Sequence, residues 1–337
     1  MATSDFLPFA TGAGANVMSQ ADWEALAQRL SGFQSGVAQS AQLNKAWRQA
    51  SIMAAVLAQF IADQSGEDAV DDGTTATLLA NLKAAAGASS VGVVGSMRNG
   101  RMSVAAASST ATFTADEIIV ETALGGLTYR LPSFSKTINL ATTGAGGMDT
   151  GTAPANGYVA LYAIYNPTTG ASALLARNAT SSAQPEVYGG ANMPAGYTAS
   201  ALVSVWPTNA SGQLVIGIQD GREIALAPVT VIASDTTASS MTPTNISVAS
   251  VVPRNAKHVS GSISITGSAI GDYHLDLYST TYGAGQRRFS WNSGAAGGQL
   301  QNFYGLLMGS AQNIVYAAFV TSGSTLSYQI IISSYGF

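Results

Sequence analysis

From about Met97 to the C-terminus, apolar residues return at every second position, and short turn segments interrupt them at regular intervals. The pattern is cleanest in "HVSGSISITGSAIG", where Val259, Ile263 and Ile265 point one way and Ser260, Ser262, Ser264 and Thr266 the other. Alternation of this kind puts one row of side chains on each face of a strand. "YVALYAIYNPTTGASALLA" alternates Tyr158, Ala160, Tyr162 and Ile164 against Val159, Leu161, Ala163 and Tyr165, with a turn at Asn166–Gly170 before a second strand. "GYTASALVSVWP" and "QLVIGIQDGREI" add strands, separated by a turn at Thr208–Gly212 and ended at Asp220-Gly221. The chain closes on "NIVYAAFVTSGSTLSYQIIISSYGF", which reads as a hairpin turning at Ser322-Gly323-Ser324. Short strands with this punctuation predict antiparallel β-sandwich domains.

The first 85 or so residues follow a different period. Ser19 and Asp22 have capping-box spacing, Trp23, Leu26, Ala27 and Leu30 follow as a helical face, and Gly32 stops it. A longer helix is predicted over "LNKAWRQASIMAAVLAQFIADQ". In it Leu43, Ala46, Ala50, Met53, Leu57 and Phe60 alternate steps of three and four, a heptad seam. Trp47, Val56 and Ile61 lie off that seam, so the helix is apolar on more than one side and needs neighbours to cover it. The loop "DQSGEDAVDDGT" lacks the ligand alternation of a helix-loop-helix calcium site, so Asp71 or Asp72 is expected to cap the helix that follows. "AGASSVGVVGS" reads as a linker. The whole divides into a helical segment (1–87), a central β-domain (88–230) and a C-terminal β-sandwich (231–337).

Charge is scarce. Only 9% of the 337 residues are Asp, Glu, Lys or Arg, against roughly 25% in ordinary globular chains, while apolar residues stand at a normal 47%. Disordered chains combine high charge with low hydrophobicity, so this is a folded protein, either with hydroxyl-rich outer faces or with surface buried between subunits. Residues 231–337 carry 3 acidic and 4 basic side chains and no region is strongly basic, so nucleic acid is disfavoured as a partner. The absence of cysteine rules out disulfides and thiolate metal sites. The apolar helical run "ASIMAAVLAQFIA" is too short to cross a bilayer, so no membrane insertion is expected.

Catalytic constellations are mostly missing, and the chain is read as a non-enzyme without a cofactor. Glycoside hydrolysis needs two carboxyl groups facing one bond. The C-terminal hundred residues contain no Glu, and Asp272 and Asp276, four residues apart on one strand, lie ~13 Å from each other. His274 sits between them on the same face, and Asp272, His274 and Asp276 form the metal candidate, set against a solvated strand face that reads the same way. "SFSK" has serine acyl-enzyme spacing at Ser133 and Lys136, but in an extended segment where that chemistry needs a helix.

Binding residues concentrate in "YSTTYGAGQRRFSWNSGAAGGQLQNFY". Tyr278, Tyr282, Arg287, Arg288, Trp291, Asn292 and Tyr304 surround glycine-rich loops there, and aromatic faces with Arg forks suit sugar rings, apolar pilus-type surfaces or acidic groups. Phe289 and Trp291 alternate on one side of a strand and read as core, with Arg288 and Asn292 facing outward.

Two stretches resemble tail fibre proteins of tailed bacteriophages. "FLPFATGAGANVMSQADWEAL" continuing through "FQSGVAQSAQLNKAWRQASIMAAVLAQFIADQ" looks like the module that attaches such a fibre to the virion. "NGYVALYAIYNPTTGASALLA" with "MPAGYTASALVSVWPTNASGQ" is similar to a β-domain of the fibre body. The resemblance covers roughly residues 1–225, and the final third matches nothing. It implies a homotrimer at the tail tip, with Leu43, Ala50, Met53, Leu57 and Phe60 in the trimer core. It also implies attachment to tail or baseplate proteins through Phe6, Leu7, Phe9 and Trp23, and a C-terminal domain that binds a glycan or pilus-type host receptor. The alternatives are a structural baseplate component without receptor contact and a polysaccharide-cleaving tailspike.

Overall fold

The structure is a computed structural model that describes residues 2–33, 35–37, 39–88, 92–321 and 323–337. It is 43% strand and 15% helix, so the expected mainly-β chain with a helical N-terminal part is what forms. The chain divides into a helical unit, residues 1–91 with 127–129, and a β unit, residues 92–126 with 130–337.

In the helical unit, Ser19 caps α1 (Gln20–Ala25), its hydroxyl accepting from the Asp22 N–H and donating to the Asp22 carboxylate at 2.6 Å. The predicted first helix breaks after Leu26 and resumes as α2 (Gln28–Ser31), which Gly32 ends at φ 75°. The long helix α3 (Ser40–Ser65) runs to a left-handed Gly66, and α4 (Ala76–Ala88) packs beside it. Asp72 closes the turn ahead of α4 by accepting from the N–H and hydroxyl of Thr74. Helix α4 continues through residues 86–88, which the sequence assigns to a linker; the rest of that linker includes residues 89–91, outside the described residues. The core of this unit is Ala58, Ile61 and Ala69, with Phe6, Leu78 and Leu82 packed on it.

The β unit opens with β1 (Met97–Arg98), β2 (Arg101–Val104), β3 (Thr110–Glu121) and β4 (Thr128–Asn139). Next come β5 (Tyr158–Asn166), β6 (Ala171–Asn178), β7 (Ala199–Pro207), β8 (Gly217–Asp220) and β9 (Glu223–Thr236). The chain finishes with β10 (Thr244–Ser247), β11 (His258–Gly267), β12 (Gly271–Tyr278), β13 (Arg287–Ser293), β14 (Gly297–Leu307), β15 (Asn313–Val320) and β16 (Leu326–Gly336). One antiparallel sheet runs β14-β11-β16-β9-β8-β2-β3-β7-β5-β6, with β1 and β4 attached to β3. A second sheet runs β10-β15-β12-β13. The long strand β9 pairs with β8 on one side and β16 on the other, so the expected boundary at 230/231 falls inside a shared strand.

The predicted turns form for the reasons that made them legible. The Asn166 carboxamide accepts from the N–H groups of Thr168 and Thr169, and the Asn209 carboxamide accepts from Ser211 and Gln213. Tyr158–Ile164 of β5 and all of β7 are buried on both faces, and the buried Ser200 hydroxyl of β7 accepts from the Tyr188 N–H. In the C-terminal half, Val259, Ile263 and Ile265 of β11, Leu326, Tyr328, Ile330 and Ile332 of β16, and Tyr273, Leu275 and Leu277 of the second sheet are all buried.

The expected terminal hairpin does not form. Strand β15 pairs with β12 and β10, whereas β16 pairs with β11 and β9, so the two strands belong to different sheets. The predicted turn residue Ser322 lies outside the described residues. Stacked in different layers, the two strands bury their apolar rows against each other, and the Tyr316 and Tyr328 rings meet 5.7 Å apart.

Candidate functional site

The N-terminal residues expected to attach the protein separate into two sets. Phe6 belongs to the core of its own unit, because the backbone around it is stitched to residues 68–71. Asp5 N–H donates to Ala69 O at 3.0 Å, Ala69 N–H donates to Thr3 O at 2.9 Å, and Asp68 accepts from Thr3. Leu7 is 78% exposed, and Phe9 is exposed with its ring edge against Trp47 at 6.1 Å. Trp23 is half-buried. On α3 the inward stripe is Ala58, Ile61 and Ala62. The heptad seam lies elsewhere on the helix: Met53 is 67% exposed, Leu57 and Ala50 are exposed, and Leu43 and Phe60 are half-buried.

The seven residues singled out in the C-terminal region do not form one patch. Tyr278 is buried, donating to Asp276 at 2.8 Å. Arg288 straddles the same carboxylate with Nη2 at 2.8 Å and Nε at 3.1 Å, and Gln286 also donates to it. Burial pushes the Asp276 carboxyl up, but the bonds from Arg288, Tyr278 and Gln286 outweigh it and hold the group below its ordinary value of 3.8. This network ties the 279–286 loop to β12, and Arg288 also reaches the sulfur of Met241, which packs on Tyr278, Val315 and Ala317. Phe289 is buried as expected, and Trp291 is half-buried, stacked on Tyr273 with ring centres 5.4 Å apart. Asn292 is exposed but donates to Asp272. Arg287 and Tyr282 remain open, Tyr282 at 84% exposure, and Tyr304 stands on the outer face of the other sheet at 72%.

The metal candidates Asp272, His274 and Asp276 do share a face of β12. There Asp276 is committed to Arg288, Asp272 to Asn292, and the His274 ring lies against Phe319 at 5.3 Å. Among the described residues no three such ligands gather.

The outer face of β14, β11, β16 and β9 includes the hydroxyl row that the alternation predicts on β11. It carries a hollow of about 510 Å³ that includes Glu223, Ser260, Ser262, Asn302, Tyr304 and Ser334. A smaller hollow of about 310 Å³ follows along the same strands, with Asp235, Ser264, Thr266 and Gln329. Glu223 accepts from the Ser334 hydroxyl at 2.6 Å, and His258 Nε2 lies 2.9 Å from its other oxygen. These residues come from positions up to 111 apart in the chain, so only the Ser260–Ser262–Ser264 alternation was visible beforehand.

No protein-family model matches the chain, and no curated protein matches it. Among solved structures, one titled "Structure of infectious bursal disease virus Gx strain" aligns over 72% of this chain and 74% of that one, at 9% identity and a TM-score of 0.14, too low to carry an argument.

Proposed function

We propose that the protein is a non-enzymatic, homotrimeric tail fibre of a tailed bacteriophage. Its helical unit joins the tail or baseplate, and the C-terminal part of its β unit binds a host surface receptor. The observation that carries the reading is the exposure of Met53 and Leu57, from the heptad seam of α3, on a helix whose buried stripe of Ala58, Ile61 and Ala62 already has its partners in Ala69, Leu78 and Phe6. A helix apolar on two sides is finished by other chains, and the resemblance of residues 1–225 to fibre attachment and body modules names which. Three tips on one axis raise avidity by roughly 10²–10⁴ over a single contact. That suits a surface with this little charge.

The test is adsorption competition with the full chain. A folded trimer that coats host cells and blocks phage attachment supports the reading. A folded trimer that is built into virions yet blocks nothing replaces it with a structural tail component. Attachment is tested separately by Leu7→Glu with Phe9→Glu, two exposed positions that leave the Phe6 core intact. Loss of the chain from particles is expected, and undiminished incorporation refutes the role given to them.

A further inference from the structure

We infer that the outer face of β14, β11, β16 and β9 is a binding groove for a neutral oligosaccharide, seated on Tyr304 and hydrogen-bonded through Glu223 and Asn302. The inference rests on the receptor-binding reading and moves the contact away from the 278–292 loops.

Three irregularities build the groove. The pairing of β11 shifts against β14 between Val259 and Gly261, and against β16 between Ser260 and Gly261. The pairing of β16 shifts against β9 between Ile332 and Ser334. Bulges that align across neighbouring strands bend the sheet and re-aim side chains, which is why they recur beside binding sites. Gly261 is required there, since a Cβ would sit 1.9 Å from the Ile331 carbonyl oxygen. The Ser260 hydroxyl accepts from the Gly305 N–H at 3.0 Å, and Gly305 adopts φ 57°, which fixes how β14 presents the adjacent Tyr304.

The chemistry selects the ligand. Glu223 is held from both oxygens, by Ser334 and His258, and each oxygen keeps a second acceptor position for a ligand hydroxyl. The Tyr304 ring offers an open apolar face to the C–H side of a sugar ring. Among the described residues that line them, neither hollow has a Lys or Arg, so neither offers an ammonium or guanidinium to a carboxylate, phosphate or sulfate. The larger hollow, about 510 Å³, lies within the ~300–1,000 Å³ usual for small-ligand sites. Ser262 opens on one hollow and Ser264 on the next, ~7 Å along the strand, so a chain of sugars can occupy both.

The test applies the full-length protein to an array of immobilised oligosaccharides, neutral and acidic, followed by titration of the best binder. Expected is binding to neutral glycans, tighter for oligomers than for single sugars. Tyr304→Ala and Glu223→Gln should each weaken it roughly tenfold or more, the loss of one good contact. Tyr282→Ala should leave it unchanged, and thermal unfolding of each variant shows whether the fold is kept. Preference for acidic glycans, binding lost with Tyr282→Ala instead, or no glycan bound at all overturns the groove. In each of those cases, whole-cell adsorption by the same protein decides separately whether the receptor-binding reading survives.

Discussion

Replacing Arg288 with alanine takes the guanidinium from a carboxylate that water does not reach. The Asp276 side chain is 0% exposed and loses contacts of 2.8 and 3.1 Å, leaving only the neutral donors of Tyr278 and Gln286. Breaking a fully buried ion pair costs about 3–5 kcal/mol. The Arg288 side chain is 53% exposed, however, so solvent screens the pair and refills part of the space. Discounted for that, the loss is about 2–3 kcal/mol at neutral pH. For a unit of this size that lowers Tm by roughly 4–12 °C, measurable by thermal or urea unfolding followed by circular dichroism. The pH dependence has a definite sign. The Asp276 carboxyl is held below 3.8 in the folded protein, so its contribution is complete above that pH and drains away as pH falls through the folded value. The gap between wild type and Arg288→Ala therefore narrows below pH 3.8. Arg288→Lys, which keeps the charge but not the fork, should fall between the two. A gap under about 0.5 kcal/mol at pH 7, or one that does not change towards pH 3, would refute the reasoning.

Gly261→Ala drives a Cβ into the Ile331 carbonyl, and urea unfolding should show a loss of about 1–3 kcal/mol as the bulge is forced apart. Tyr335→Phe removes a bond of 2.6 Å to the Val205 carbonyl, which joins β16 to β7. About 1–2 kcal/mol should go, and no change would mean that the contact does not couple the strands. Met53→Glu with Leu57→Glu puts charges into the exposed seam of α3. Sedimentation should show the wild type at three times its 34.2 kDa chain mass and the variant at one, and a monomeric wild type removes the trimer.

Much of the fold was written locally. The period-two rows of β11 and β12, the Asn166 and Asn209 turns and the Ser19 cap all depend on residues a few positions apart, so composition and spacing reveal them. The core positions of Tyr273, Leu275, Leu277 and Phe289 follow from the same alternation. The candidate binding residues were harder, because a polar side chain on a strand reads alike whether it meets water, a ligand or a buried partner. Arg288 faces outward as its position requires, yet its guanidinium folds back onto Asp276, the cross-strand neighbour that pairing places opposite it.

What the sequence determined by itself is which side chains share a face, since that needs only the strand period. Which face meets which was decided by the tertiary structure. An alternating strand can bury its apolar row beside a neighbour in one sheet or across the core against another, and the local pattern is identical. That is why β15 and β16 read as a hairpin but lie in separate layers, and why Glu223, His258 and Ser334 meet only when β9, β11 and β16 align.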